Sequence, residues 1–341
     1  MSPAGSRQPP ARPGSETLGG ILDRFGECLY RSGLAAARLV AARAQRVAGA
    51  AVVSVGNLEI GGTGKTPCAL WWARALAEHG APTAVVCRPW GPPAAGQAGD
   101  EAALLAARLP PGVHLFAGKN KRAQAARAAR EGARVIVVDD GFAHRALARD
   151  LDLVLLDARR PFGNGRCLPA GPLREPPQAI ARADVVVLSR ADRAGLADRR
   201  RARDQVRAAG FRGPLLHARH RVAGVRDAEG LHPPGGQPVY CVSGLARAGE
   251  LAEAAALAGL RVVGERSYAD HHAFTPAEWE HARRAARAGG ARLLVSAKDA
   301  VRLAPAALAE AQVLEVEWEW LDGDVGPETL VERVLAAAEA R

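Results

Sequence analysis

The chain has 341 residues, 48% of them hydrophobic and 24% charged, which excludes a disordered polymer and leaves room for two domains of about 100–200 residues each. Lys and Arg outnumber Asp and Glu by 46 to 36, a formal +10 that favours polyanionic partners: nucleotide phosphates, anionic lipid head groups or nucleic acid. The five cysteines (Cys28, Cys68, Cys87, Cys167, Cys241) form no C-x-x-C pair, which argues against a zinc ribbon or disulfide framework and suits a reducing cytosol.

Residues 1–18 are rich in Pro, Gly, Ser and Arg and are predicted to be disordered. They lack the apolar stretch of a signal peptide. Residues 19–50 are predicted to hold an amphipathic helix, in which Ile21, Leu22, Phe25, Leu29 and Leu34 alternate with Arg24, Arg31, Arg38 and Arg43. No run reaches the roughly 18 uncharged apolar residues of a spanning helix. Such a helix either lies in the interface of an anionic membrane or packs on the domain, and the pattern does not choose between them.

Apolar runs then alternate with Ala-rich helical stretches. A-V-V-S-V (51–55), T-A-V-V-C (83–87), R-V-I-V-V-D-D (134–140), D-L-V-L-L-D (152–157) and D-V-V-V-L-S (184–189) read as buried strands, with a helix from about Lys65 to His79. This order predicts an α/β fold with a mostly parallel sheet and helices on both faces. Composition turns polar and turn-rich at 222–238, read as a hairpin or linker. The division is therefore a first unit over 51–222 and a smaller α/β unit over 223–341 with a closing helix at 329–338.

The turn in V-G-N-L-E-I-G-G-T-G-K-T-P (55–67) follows a strand and precedes a helix. Gly61, Gly62, Thr63 and Gly64 can aim successive N–H groups at phosphate oxygens. Lys65 offers a charge to the β- and γ-phosphates and Thr66 a hydroxyl to Mg²⁺, while the helix N-terminus adds partial positive charge. Glu59 stands where the strict P-loop pattern has its first glycine, and a tight connection is the plainer alternative. Asp139 closes an apolar strand, with Asp140 beside it, as the metal-side carboxylate of such a cradle should.

Several stretches taken together resemble the tetraacyldisaccharide 4'-kinase (lipid A 4'-kinase) family. They are S-V-G-N-L-E-I-G-G-T-G-K-T-P (54–67), G-D-E (99–101), D-D-G-F-A-H-R-A-L-A-R-D (139–150), F-G-N-G-R-C-L-P-A-G-P-L-R-E-P (162–176), Y-A-D-H-H-A-F (268–274) and A-K-D-A-V-R-L (297–303). The resemblance implies a P-loop kinase domain joined to a smaller domain by a two-stranded linker. It implies transfer of the γ-phosphoryl group of ATP, with Mg²⁺, to the 4'-hydroxyl of a tetraacylated glucosamine disaccharide 1-phosphate. It further implies Lys65 and Thr66 on phosphate and metal, Asp139 and Asp140 on the same side, and Asp100 as catalytic base acting with His271. His144, Arg174 and Glu175 would surround the active site. The expected setting is the cytoplasmic face of a bacterial inner membrane, peripheral or monotopic, with a lipid A precursor and an anionic surface as partners and a single chain as the unit.

Each residue has a plainer reading. Asp100 and Glu101 suit a helix N-terminus, His271 and His272 suit a polar surface, and Arg174 could pair locally with Glu175. A nucleotide-hydrolysing switch would leave the D-H-H and L-P-A-G-P-L-R-E-P blocks unexplained. A nucleic-acid-binding module needs stacking aromatics among its basic residues, and only three Tyr and six Phe are present, so no nucleic-acid partner is expected.

Overall fold

The computed structural model describes residues 18–40, 44–89 and 99–341, with the side chains of 22–36 on its first helix. The first lobe is built from α1 (Leu18–Val40), β1 (Ala51–Asn57), α2 (Lys65–Glu78), β2 (Thr83–Cys87), α3 (Asp100–Arg108), β3 (His114–Ala117), α4 (Lys121–Arg130), β4 (Val135–Asp139), β5 (Leu151–Asp157), β6 (Val185–Ser189) and α5 (Leu196–Ala208). Then follow β7 (Leu215–Asp227), β8 (Gly230–His232), β9 (Pro238–Ser243), α6 (Glu250–Leu257), β10 (Arg261–Ser267), α7 (Pro276–Ala288), β11 (Arg292–Ser296), α8 (Ala297–Ala300), α9 (Pro305–Ala309), β12 (Ala311–Gly323) and α10 (Pro327–Glu339).

All the strands join one sheet in the order β10-β9-β11-β12-β7-β6-β5-β1-β4-β2-β3, with β8 added beside β7. Pairing is parallel except where β7 meets β12 and β8. β1, β4, β5 and β6 are buried along their whole length, as strands covered by helices on both faces must be. Their side chains alternate: Val53, Val137 and Leu153 share a core with α2, Ile136 and Val138 one with α4, and Val154 and Leu156 one with α5. Ligand sites of such sheets lie beyond the strand C-terminal ends where the order reverses, which here is the end of β1 between β4 and β5.

The expected disorder of residues 1–18 falls almost wholly outside the described residues, although Leu18 already opens α1. The helix expected over 19–50 is shorter at its C-terminal end. Gln45 pairs with Leu147 and exchanges backbone bonds with Ala146 and Ala148, and Val47 and Ala50 are buried in the α4-side core. That backbone is committed to the sheet edge and cannot also be helical.

The boundary expected at 222/223 falls inside a continuous strand. β7 runs thirteen residues and pairs antiparallel with the equally long β12, so this ribbon joins the lobes, and the hairpin read at 222–238 is its β7–β8 extension. The closing helix, grouped by sequence with the smaller unit, packs on the first lobe. Pro327 starts α10, and Leu330, Val331, Val334 and Ala338 form one face over Ala51 and Val53. No helix among the described residues is long and apolar enough to cross a membrane.

Candidate active site

The turn after β1 is braced from both sides. Asn57 Nδ2 donates to Thr63 Oγ1 at 3.0 Å, and Arg190 donates to the Gly62 carbonyl at 2.7 Å. Gly64, at φ +92°, caps α2, and a Cβ there would lie 2.1 Å from His220 Nε2 and 2.9 Å from the Trp318 ring. Only glycine lets the turn sit this close to the β7–β12 ribbon. His220 is pushed down to about 3 by burial and by Arg190 and Arg193, so it packs as a neutral ring. Glu59 stands where the strict P-loop pattern has its first glycine, and here it meets other partners. It bridges to Leu173 and lies 3.7 Å from Arg247 of the smaller lobe, and burial raises its carboxyl. Beside it a cavity of about 370 Å³, lined by Gly61, Gly62, Asn164, Arg160 and Arg247 among others, reaches from the turn to the smaller lobe.

At the end of the neighbouring strand, Thr66 Oγ1 donates to Asp139 Oδ2 at 3.1 Å. The other oxygen, Oδ1, is buried with no hydrogen-bond partner among the described residues. Burial, and then the charge of Glu101, push the Asp139 carboxyl up, against Lys65 and Lys121. An orphaned carboxylate oxygen beside a hydroxyl is a hard-oxygen donor set, and it fits Mg²⁺. Asp140 follows at φ 53°, and two cations hold it: Arg174 through two bonds of 2.9 and 2.7 Å, and Lys65 at 3.7 Å. Burial alone would raise Asp140, but Arg174 and Lys65 outweigh it and keep it well below the usual carboxylate range.

Arg174 and Glu175 do not pair with each other. Arg174 turns to Asp140 and Asn57, while Glu175 takes Arg145 and Arg182, each at 2.8 Å. Burial works against the Glu175 charge, yet Arg182 and then Arg145 hold its carboxyl down at about 2. Glu175 thus supports the turn that presents Arg174. His144 lies half-buried just past the acidic turn, its basicity lowered by burial and then by Lys121.

Asp100 opens α3 with its side chain 1% exposed, and its Oδ2 lies 2.8 Å from His271 Nδ1 of the smaller lobe. Neither residue is a solvated surface group. Burial would raise Asp100, but the His271 hydrogen bond, its own backbone N–H and Arg302 bring it below the ordinary value. The charge of the neighbouring Glu101 adds to the rise of the Asp139 carboxyl.

Sequence reasoning gave no role to Asn57, Lys121, Arg190, Lys298 or Arg302. Lys121, buried in the first turn of α4, donates to the carbonyls of Asp139 and Asp140 at 2.7 and 2.6 Å and so fixes the acidic turn. A lysine at the head of a helix carries no signal of that role in the sequence. Among the described residues, one further cluster of possible ligands is Asp227, Glu229 and His232 in the β7–β8 hairpin. Asp227 is already taken by the Glu229 N–H, His232 and Arg292, so we assign it no ion.

A Gly-rich strand–turn–helix ending in Lys65–Thr66, with a strand-end acid tied to that threonine, has the form of a P-loop nucleotide site. The family model described as tetraacyldisaccharide-1-P 4'-kinase matches residues 27–337. The tetraacyldisaccharide 4'-kinase of Anaeromyxobacter sp. (strain Fw109-5) is 44% identical over 316 residues, covering 86% of this chain and 85% of the relative. That of Anaeromyxobacter dehalogenans (strain 2CP-C) is 46% identical over 324 residues, covering 86% and 82%. The chain belongs to the tetraacyldisaccharide 4'-kinase family. The crystal structure of the "apo" form of LpxK from Aquifex aeolicus in complex with ATP shares the fold, with a TM-score of 0.64 and 24% identity over 93% of this chain and 95% of that one.

Proposed function

We propose that this chain transfers the γ-phosphoryl group of ATP to the 4'-hydroxyl of a tetraacylated glucosamine disaccharide 1-phosphate, giving the 4'-phosphorylated lipid A precursor. The observation that carries the reading is the 2.8 Å contact between Asp100 and His271, which completes an acid–imidazole pair from two lobes beside a phosphate cradle. A sugar hydroxyl is too weak an acid to attack unaided, so the pair receives its proton as the new P–O bond forms. The bond from the γ-phosphorus to the bridging oxygen breaks, and its electron pair leaves with ADP. The Gly61–Gly64 amides and Lys65 bind the triphosphate, and Arg174 adds charge at the acidic turn. Thr66 and Asp139 would hold Mg²⁺, which when bound neutralises phosphate charge. Ribbon-linked lobes closing on the cavity would exclude competing water.

Both halves of the site come from one chain, which supports a monomer as the working unit. Peripheral binding to an anionic inner-membrane surface, on its cytoplasmic face, is supported by α1, where Leu22, Phe25 and Leu29 are exposed on a basic helix. The experiment is to incubate the purified chain with γ-labelled ATP, Mg²⁺ and the dephosphorylated disaccharide lipid, then locate the label. Label at the 4'-position is the expected result. Release of free phosphate at the same rate with and without lipid would overturn the reading in favour of a nucleotide-hydrolysing switch.

A further inference from the structure

The stretch A-K-D-A-V-R-L (297–303) has no role in the reaction as described, yet its three charged side chains all turn toward the Asp100–His271 pair or the turn that carries it. Asp299 is fully buried, accepts the Gly244 N–H at 2.9 Å and is paired with Arg302. Arg302 donates to the carbonyls of Gly244 and His272 at 3.2 and 3.3 Å, and its Nε lies 3.5 Å from Asp100 Oδ2. His271, held at φ 62°, donates its N–H to the Gly244 carbonyl at 3.3 Å. Asp299 and Arg302 therefore fix the backbone that presents His271. Lys298 does something else: its Nζ lies 3.1 Å from Asp270 Oδ1 and 3.3 Å from His271 Nε2.

We propose that Lys298 is a positioning residue for the phosphotransfer: its ammonium group donates to His271 Nε2, which places the ring proton on Nδ1 and directs it at Asp100. The inference rests on the phosphotransfer reading above. An ammonium group has three donors and no acceptor, so a ring nitrogen that bonds to it must be unprotonated. The single N–H of the neutral imidazole then sits at Nδ1, 2.8 Å from an Asp100 oxygen that accepts as carboxylate. The base is thereby kept ionised and aimed, with the ring as a neutral support.

Charge acts in the same direction. The groups facing the ring are Asp100 from α3, Lys298 from α8, Arg302 just beyond α8, and Asp270, whose Oδ2 lies 3.6 Å from Nε2. Asp270 favours a proton on Nε2, and Lys298 opposes it, both by its own charge and by pairing with Asp270. Without Lys298, Nε2 faces Asp270 alone, and the tautomer that carries its proton on Nε2 is no longer opposed. A bare Nδ1 then faces Asp100 and no longer holds the carboxylate in place.

The test uses the full chain with Lys298→Met, which keeps the stem and loses the charge, and Lys298→Arg, which keeps a charged donor. Nitrogen-15 spectra of the ring in the wild-type chain at neutral pH should show Nδ1 protonated and Nε2 bare. In Lys298→Met they should show Nε2 protonated. The lipid phosphorylation rate of Lys298→Met should fall about tenfold or more, with KM for ATP unchanged. Lys298→Arg should recover most of the rate. A wild-type ring protonated at Nε2 overturns the proposal, and so does a Lys298→Met ring that keeps its proton on Nδ1 alone. Failure of the phosphotransfer reading shows separately, as no lipid label from the wild-type chain.

Discussion

Thr66 Oγ1 and Asp139 Oδ2 meet at 3.1 Å, tying the head of α2 to the tip of β4 across the central strand. The bond leaves Asp139 Oδ1 as the buried oxygen without a hydrogen-bond partner among the described residues. Replacing Asp139 with Asn keeps the shape and the Thr66 contact but removes the charge a hard cation needs. The Mg²⁺ concentration for half-maximal rate should rise about 10–100-fold in Asp139→Asn. An activation curve superimposable on the wild type would remove Asp139 from the metal side.

Lys65 and Asp100 act at opposite ends of the proposed transfer, one on phosphate and the other on the hydroxyl proton. Lys65→Ala and Asp100→Ala should each lower lipid phosphorylation by about 10²–10⁴-fold while the circular dichroism spectrum stays unchanged. Only Lys65→Ala should also weaken nucleotide binding. Near-normal rates in both variants would contradict the assignment.

Much of this arrangement was legible in the sequence, for physical reasons that differ from part to part. The parallel strands stood out because burial on both faces demands unbroken apolar runs such as Val135–Val138. The cradle stood out because left-handed turns need glycine at positions such as Gly61 and Gly64. The ribbon was harder to see: in β12, Glu315, Glu317 and Glu319 interrupt the apolar pattern because they pair across to Arg226, Arg221 and Arg219 of β7. Lys121 and Lys298 were invisible, since each acts through one long side chain reaching a distant segment. The helix α10 was visible as a helix but not as part of the first lobe, because an apolar stripe does not name the surface it covers.

Gly64 has a second constraint beyond its own dihedral angles. In Gly64→Ala the added methyl group meets His220 and Trp318, and the left-handed backbone costs about 1–2 kcal/mol in addition. The variant should lose nucleotide affinity and show a lowered melting temperature. Adding His220→Ala should recover part of the melting temperature, because it clears the nearer contact. Full stability in the single variant would mean that the turn does not rest on the ribbon.

Glu175 makes stability depend on acid. Its carboxyl is held down at about 2 against an ordinary value of 4.5, so the contribution from Arg182 and Arg145 is complete above about pH 4.5 and is lost as pH falls toward 2. The sign follows from the unfolded chain taking up the proton first. The size is on the order of 3 kcal/mol, since the side chain is buried. Glu175→Gln should therefore unfold at lower urea concentration than the wild type at pH 6, with the gap narrowing at pH 3. A gap of constant width across that range would show that the loss is one of packing and not of charge.

α1 presents two faces with different work to do. Glu27 receives the Cys167 N–H at 2.8 Å and Arg166 at 3.0 Å, and the Tyr30 hydroxyl donates to the Arg174 carbonyl at 3.0 Å, so one face is anchored on the segment that carries Arg174. Leu22, Phe25 and Leu29, spaced three and four residues apart, stand exposed on the other. Burying them in a bilayer interface is worth about 1.5–3 kcal/mol each at full burial. Changing all three to Ser should therefore lower sedimentation with anionic vesicles at least about tenfold, leave the melting temperature unchanged, and slow phosphorylation of vesicle-borne lipid more than that of detergent-dispersed lipid. Equal sedimentation of the wild-type and altered chains would assign this face to some contact other than a membrane.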